Sequence, residues 1–78
     1  MRQKELKVLF TFSTTTAAMA MENLCRRERL PGRLIPVPRS ITADCGMAWS
    51  APAMERLRLE QAAADHDLAL AGVYELLL

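Results

Sequence analysis

Arg33-Leu34-Ile35-Pro36-Val37-Pro38 alternates along its length, with Ile35 and Val37 on one face and Leu34, Pro36 and Pro38 on the other. Proline has no N–H to give to a strand ladder, so it is expelled from central strands. The two prolines here are two residues apart, and in an extended chain both missing donors fall on the same side. A strand at the edge of a sheet tolerates that, and so does an extended arm. The segment is therefore an edge or an arm, and its neighbours must supply the sheet that it borders.

Upstream, Val8-Leu9-Phe10-Thr11-Phe12 has strand periodicity, with aromatic and β-branched members. Ser13-Thr14-Thr15-Thr16 then offers several N-caps, and Ala17 to Arg29 has helix-forming composition. Ala17, Met21, Leu24 and Cys25 form one stripe of that helix, and Glu22, Arg26 and Arg29 lie away from it. Pro31-Gly32 is expected to end it, by removing a donor and permitting a positive φ.

Downstream, Ser40 to Cys45 is a polar connection, and Gly46 to Ala51 is a short third strand with Met47 and Trp49 on one face and Ala48 on the other. Pro52 suits a helix start, and Met54 to Asp65 is the second helix, with Met54, Leu57, Gln61 and Ala64 along its expected buried stripe. Asp65-His66-Asp67 breaks it, and Leu68 to Leu78 closes the chain with a strand that is strongest from Gly72. The order β-α-β-β-α-β is that of an α+β, ferredoxin-like sandwich: a four-stranded antiparallel sheet with two helices on one face. In that architecture the second strand lies at an edge, as its prolines require. The helix-covered face is expected to bury Phe10, Phe12, Ile35 and Val37. Leu9, Leu34, Val73 and Leu77 would then line an apolar open face, suited to a homodimer or a docking partner.

Seventy-eight residues, 51% hydrophobic and 24% charged, make a single domain spanning 1–78, with residues 1–6 as a flexible leader. A net charge of +1 gives no field to grip nucleic acid or a charged membrane. The longest uncharged apolar stretch, Val8 to Met21, is too short and too polar to span a bilayer. A basic start before an apolar run has the outline of a signal peptide, but cleavage there would remove the first strand, so the expected location is cytoplasmic. Two cysteines in that compartment are normally reduced.

One cysteine has the setting of a site. In Arg39-Ser-Ile-Thr-Ala-Asp-Cys45-Gly46, a thiol stands in a loop, six residues after an arginine and beside a glycine. A cation brought near Cys45 favours its thiolate, and Gly46 leaves room for an adduct to approach, whereas the carboxylate of Asp44 works against ionisation. The plain alternative is that Cys45 is a small buried hydrophobe. Cys25, on the apolar stripe of the first helix, is read as a core residue. The single histidine, His66, lies between two aspartates at a helix end, and there is no C-x-x-C, so no metal site is expected. Arg26-Arg27-Glu28-Arg29 is a solvated helix face with no interleaved aromatic residue for stacking on bases.

Leu30-Pro-Gly-Arg-Leu-Ile-Pro-Val-Pro-Arg-Ser-Ile41, followed by Ala43-Asp-Cys-Gly-Met-Ala48, resembles the small bacterial selenium/sulfur carrier-like family. The resemblance extends from Phe12-Ser-Thr14 to Gly72-Val-Tyr-Glu75 and so covers nearly the whole chain, with the Pro-Arg and Cys-Gly blocks as its most specific part. It implies that Cys45 is the carrier thiol, with Arg39 and Pro38 matching the preceding Pro-Arg block. The chain lacks the Cys-Pro-x-Pro motif of the well-characterised sulfur-relay carriers, so their mechanism does not transfer directly. The implied role is to hold sulfur or selenium on Cys45 as a persulfide or selenopersulfide, taken from a donor protein and passed to an acceptor enzyme. It calls for no bound cofactor and makes the protein a carrier more than an enzyme. The competing reading is a non-catalytic interaction or regulatory module acting through its open sheet face, in which Leu9, Leu34, Trp49 and Val73 matter more than Cys45. A small thiol reductase is disfavoured, because no second cysteine is placed to resolve a disulfide.

Overall fold

The computed structural model describes residues 4–41 and 46–78. The elements follow the expected order: β1 (Leu6–Thr11), α1 (Thr15–Glu28), β2 (Arg33–Pro36), β3 (Met47–Pro52), a single 3-10 turn (Ala53–Glu55), α2 (Arg56–Asp65) and β4 (Gly72–Leu77). The four strands form one sheet in the order β2-β3-β1-β4, with every neighbouring pair antiparallel. This is the ferredoxin-like arrangement, with β1 and β3 central and β2 at an edge. Before β1, Glu5 and Leu78 exchange both backbone hydrogen bonds, so the sheet begins one residue ahead of Leu6.

The prolines sit where their chemistry allows. The N–H of Val37 donates to the carbonyl of Gly46 at 3.0 Å, so the odd-numbered residues of this segment face β3. Pro36 and Pro38 therefore turn their ring nitrogens outward, to a side where no partner strand needs a donor.

Helix α1 starts at a Thr14 cap whose hydroxyl accepts the Ala17 N–H at 3.1 Å. It ends when Arg29 turns left-handed (φ 57°) and Leu30 donates back to the Cys25 carbonyl at 2.8 Å. The helix thus stops before Pro31-Gly32, and the positive φ of Gly32 (123°) meets a different need. A Cβ there would stand 2.6 Å from the Ser50 carbonyl and 2.7 Å from Trp49 Cε2. Only glycine lets the chain pass this close to β3, where the Trp49 indole N–H donates to the Pro31 carbonyl at 3.1 Å.

Between the sheet and the helices lies the main core: Val8, Phe10, Phe12, Ala18, Met21, Cys25, Trp49, Ala51 and Leu59. Each large side chain fully buried in it contributes roughly 1.5–3 kcal/mol. Phe10 and Phe12 lie on the helix side as expected, but the phase of β2 and β4 is opposite to expectation. Leu34 pairs with Trp49, and Val73 with Phe10, so both join the helix-side core, whereas Ile35 and Val37 lie on the other face. Leu77, paired with Leu6, shares the helix-side phase of Val73. Alternation within a strand is readable from residue types, but the phase between strands is set by the loops that join them.

The stripe on α2 is also corrected. Leu59 and Ala63 are buried, whereas Met54 and Leu57 are 86% and 80% exposed and Gln61 and Ala64 face solvent. The apolar residues nearest Pro52 suggested the other phase. The 3-10 turn at Ala53–Glu55 shifts the phase before α2 begins. Among the described residues no helix is long and apolar enough to cross a membrane.

Candidate functional site

The expected site lies in the β2–β3 connection. Cys45 falls outside the described residues, so the surroundings of its thiol remain an expectation; the flanks of the loop are described. Pro38-Arg39-Ser40-Ile41 forms a turn closed by the Ile41 N–H donating to the Pro38 carbonyl at 3.0 Å. Arg39 and Ser40 occupy its exposed centre. The Val37–Gly46 hydrogen bond closes the loop at its base.

Gly46 is exposed, with φ 75°, and open space surrounds the position a Cβ would take. The backbone here needs glycine for its left-handed conformation, while a side chain would meet no steric obstacle.

Ile41 was not foreseen as a structural residue, because it stands within a polar run. It is 8% exposed and packs against Leu9 and Ala48, with Ile35, Val37 and Leu76 around them. This small second core lies on the face opposite the helices and buries Leu9 completely. Ile41 thereby anchors the start of the β2–β3 connection on the open face. The signal in the sequence was a lone isoleucine between Ser40 and Thr42 in an otherwise polar connection.

The second cysteine is a core residue, as expected. Cys25 is buried against the sheet, and burial pushes its thiol up to about 11, which leaves it protonated and unreactive at neutral pH. His66 is exposed at the C-terminus of α2, at the same end of the sheet as Gly46, with its N–H shared among the last carbonyls of the helix. Among the described residues no group of three or more histidine, cysteine, aspartate or glutamate side chains could hold a metal. Arg26 and Arg27 make only long, exposed contacts to Glu22 and Glu28, at 3.9 and 4.0 Å, consistent with a solvated helix face.

At the opposite end of the open face is a shallow cleft of about 780 Å³ between Lys7, Arg33, Ser50 and Pro52. Lys7 is held by Glu5 at 3.1 Å, so the charges along the cleft are partly compensated. Ile35 lines the cleft and also packs against the small core that holds Ile41.

Among curated proteins and among solved structures, no significant match to this chain is found. A family model matches residues 7–75, from within β1 into β4, and its description reads "Putative Se/S carrier protein-like". The match takes in Pro38-Arg39, the loop and Cys45-Gly46 together with every element that frames them, and the chain belongs to this selenium/sulfur carrier-like family.

Proposed function

We propose that this protein carries a sulfur or selenium atom on Cys45, held as a persulfide or selenopersulfide, between a donor protein and an acceptor enzyme. The observation that carries the reading is the family match across the whole sandwich. The contrast between the two cysteines supports it. Cys25 is sealed in the core with its thiol pushed up to about 11, while Cys45 belongs to a loop whose flanking Arg39 and Gly46 are both exposed.

The chemistry is thiol exchange at the sulfane atom. The Cys45 thiolate attacks the outer sulfur or selenium of a persulfide on the donor. A bond from Cys45 to that atom forms, the donor's own S–S or S–Se bond breaks, and the donor leaves as a thiolate that takes up a proton. Delivery to the acceptor's nucleophile runs the same way, returning the Cys45 thiolate. No external oxidant or reductant is needed. The rate follows thiolate fraction and access, so Arg39 is assigned to favour the anion and Gly46 to keep the approach open. A reducing, cytoplasmic setting suits a thiol that must stay free between transfers.

The test is the pH dependence of alkylation at each cysteine, read by peptide mass spectrometry. Cys45 is expected to label in the folded protein with a pKa below the free-thiol value of about 8.5, rising toward it in Arg39→Ala, while Cys25 labels only on unfolding. A Cys45 that is slow and unshifted in the native protein would remove the carrier chemistry.

A further inference from the structure

We propose that the outer edge of β4 is a self-association surface, at which a second copy of this chain adds its own β4 antiparallel to make a continuous eight-stranded sheet.

The two edges of the sheet are treated differently. At β2, Pro36 and Pro38 remove two outward donors, which blunts the edge against strand addition. At β4 no such device is present. Glu5 and Leu78 hydrogen-bond to each other, so the even-numbered residues of β4 face β1. Val73, Glu75 and Leu77 therefore turn both N–H and C=O outward, and among the described residues no strand pairs with them. The segment contains neither proline nor lysine.

Exposed apolar side chains gather on the same side. Of the seven large hydrophobic residues exposed among those described, Leu6, Tyr74, Leu77 and Leu78 lie on β4 or directly beside it. Above the strand, Arg56 of α2 reaches Glu75 of β4. Leu6 and Leu77 lie on the helix side and Tyr74 and Leu78 on the other, so a monomer leaves apolar side chains in water on both faces of this edge.

The edge is also self-complementary. A two-fold axis at Leu76 sets Leu76 against its own copy, Tyr74 against Leu78 of the second copy, and Glu75 against Leu77 of the second copy. An axis at Glu75 would instead oppose two carboxylates, a pairing that destabilises. The Glu75 carboxylate is already taken within its own chain by Arg56 Nη1 at 2.6 Å, so it enters the interface partnered. This is the isologous pattern of a closed dimer.

The experiment is sedimentation equilibrium of the full chain from about 1 to about 100 μM, with amide exchange followed by NMR. The expected result is twice the mass of one chain, with slowed exchange at the Glu75 and Leu77 amides. Leu77→Pro copies the β2 device at a position that gives no donor to β1, and is expected to be monomeric with a native circular dichroism spectrum. Leu77→Lys, a milder change at an exposed side chain, should weaken association by about tenfold or more. A wild-type monomer at every concentration would overturn the proposal, and so would a dimer that persists in both variants with free exchange at Glu75 and Leu77.

Discussion

Two glycines near the ends of β2 and β3 separate what a backbone needs from what packing allows. Gly32 combines a positive φ with an approach so close that any Cβ would overlap Trp49 and the Ser50 carbonyl. Gly46 has the positive φ alone. Gly32→Ala should therefore cost about 2–4 kcal/mol or prevent folding, whereas Gly46→Ala should cost only about 1 kcal/mol. Chemical denaturation of the two variants checks the order, and equal losses would mean that φ alone governs both positions. Cys25 gives a residue-level prediction in pH. Its thiol is pushed from an ordinary value of 9.0 to about 11, so in that interval the unfolded chain ionises while the native one stays protonated. The unfolded state then binds fewer protons, and stability falls as pH rises through that window, by about 2–3 kcal/mol in all. Denaturation midpoints of wild type and Cys25→Ala between pH 8 and pH 11 should show the slope attributable to this thiol in the wild type alone.

Of the elements, α2 is the one whose sequence misleads most. Its four-residue set Met54, Leu57, Gln61 and Ala64 has good spacing for a buried stripe, yet the 3-10 turn ahead of it sets Leu59 and Ala63 inward. Leu59→Ala is expected to cost about 2–4 kcal/mol, and Leu57→Ala less than about 0.5 kcal/mol. Thermal melts of the pair decide the phase, and the reverse order would restore the first reading. Strand β2 shows the opposite case. Its prolines announced an edge because a missing donor is a local chemical fact, independent of the rest of the fold. The side of the sheet that Ile35 and Leu34 would occupy was not legible in the same way, since it depends on the register with β3. The candidate site divides along the same line. Arg39, Cys45 and Gly46 were recognisable as residue types in a loop. The anchor Ile41 was not, because its packing against Leu9 and Ala48 is a tertiary contact that its polar sequence neighbours do not signal.

For the molecule as a whole, the sandwich leaves one helix-side core, one small core under the loop and one unblunted edge. The helix side seals Cys25 away. On the other face Ile41 packs against Leu9 and Ala48, and the family match spans the whole β2–β3 connection. The β4 edge lies across the sheet from β2, and its Leu76 also packs against the small core. In the carrier proposal one thiol holds the transferred atom. The most direct test is intact-protein mass spectrometry after incubation with a persulfide donor, first with sulfur and then with selenium, on wild type, Cys45→Ser and Cys25→Ser. The account predicts a gain of one chalcogen atom in wild type and Cys25→Ser, its removal by an acceptor thiol, and no gain in Cys45→Ser. A gain that survives Cys45→Ser, or no gain in wild type, would contradict it.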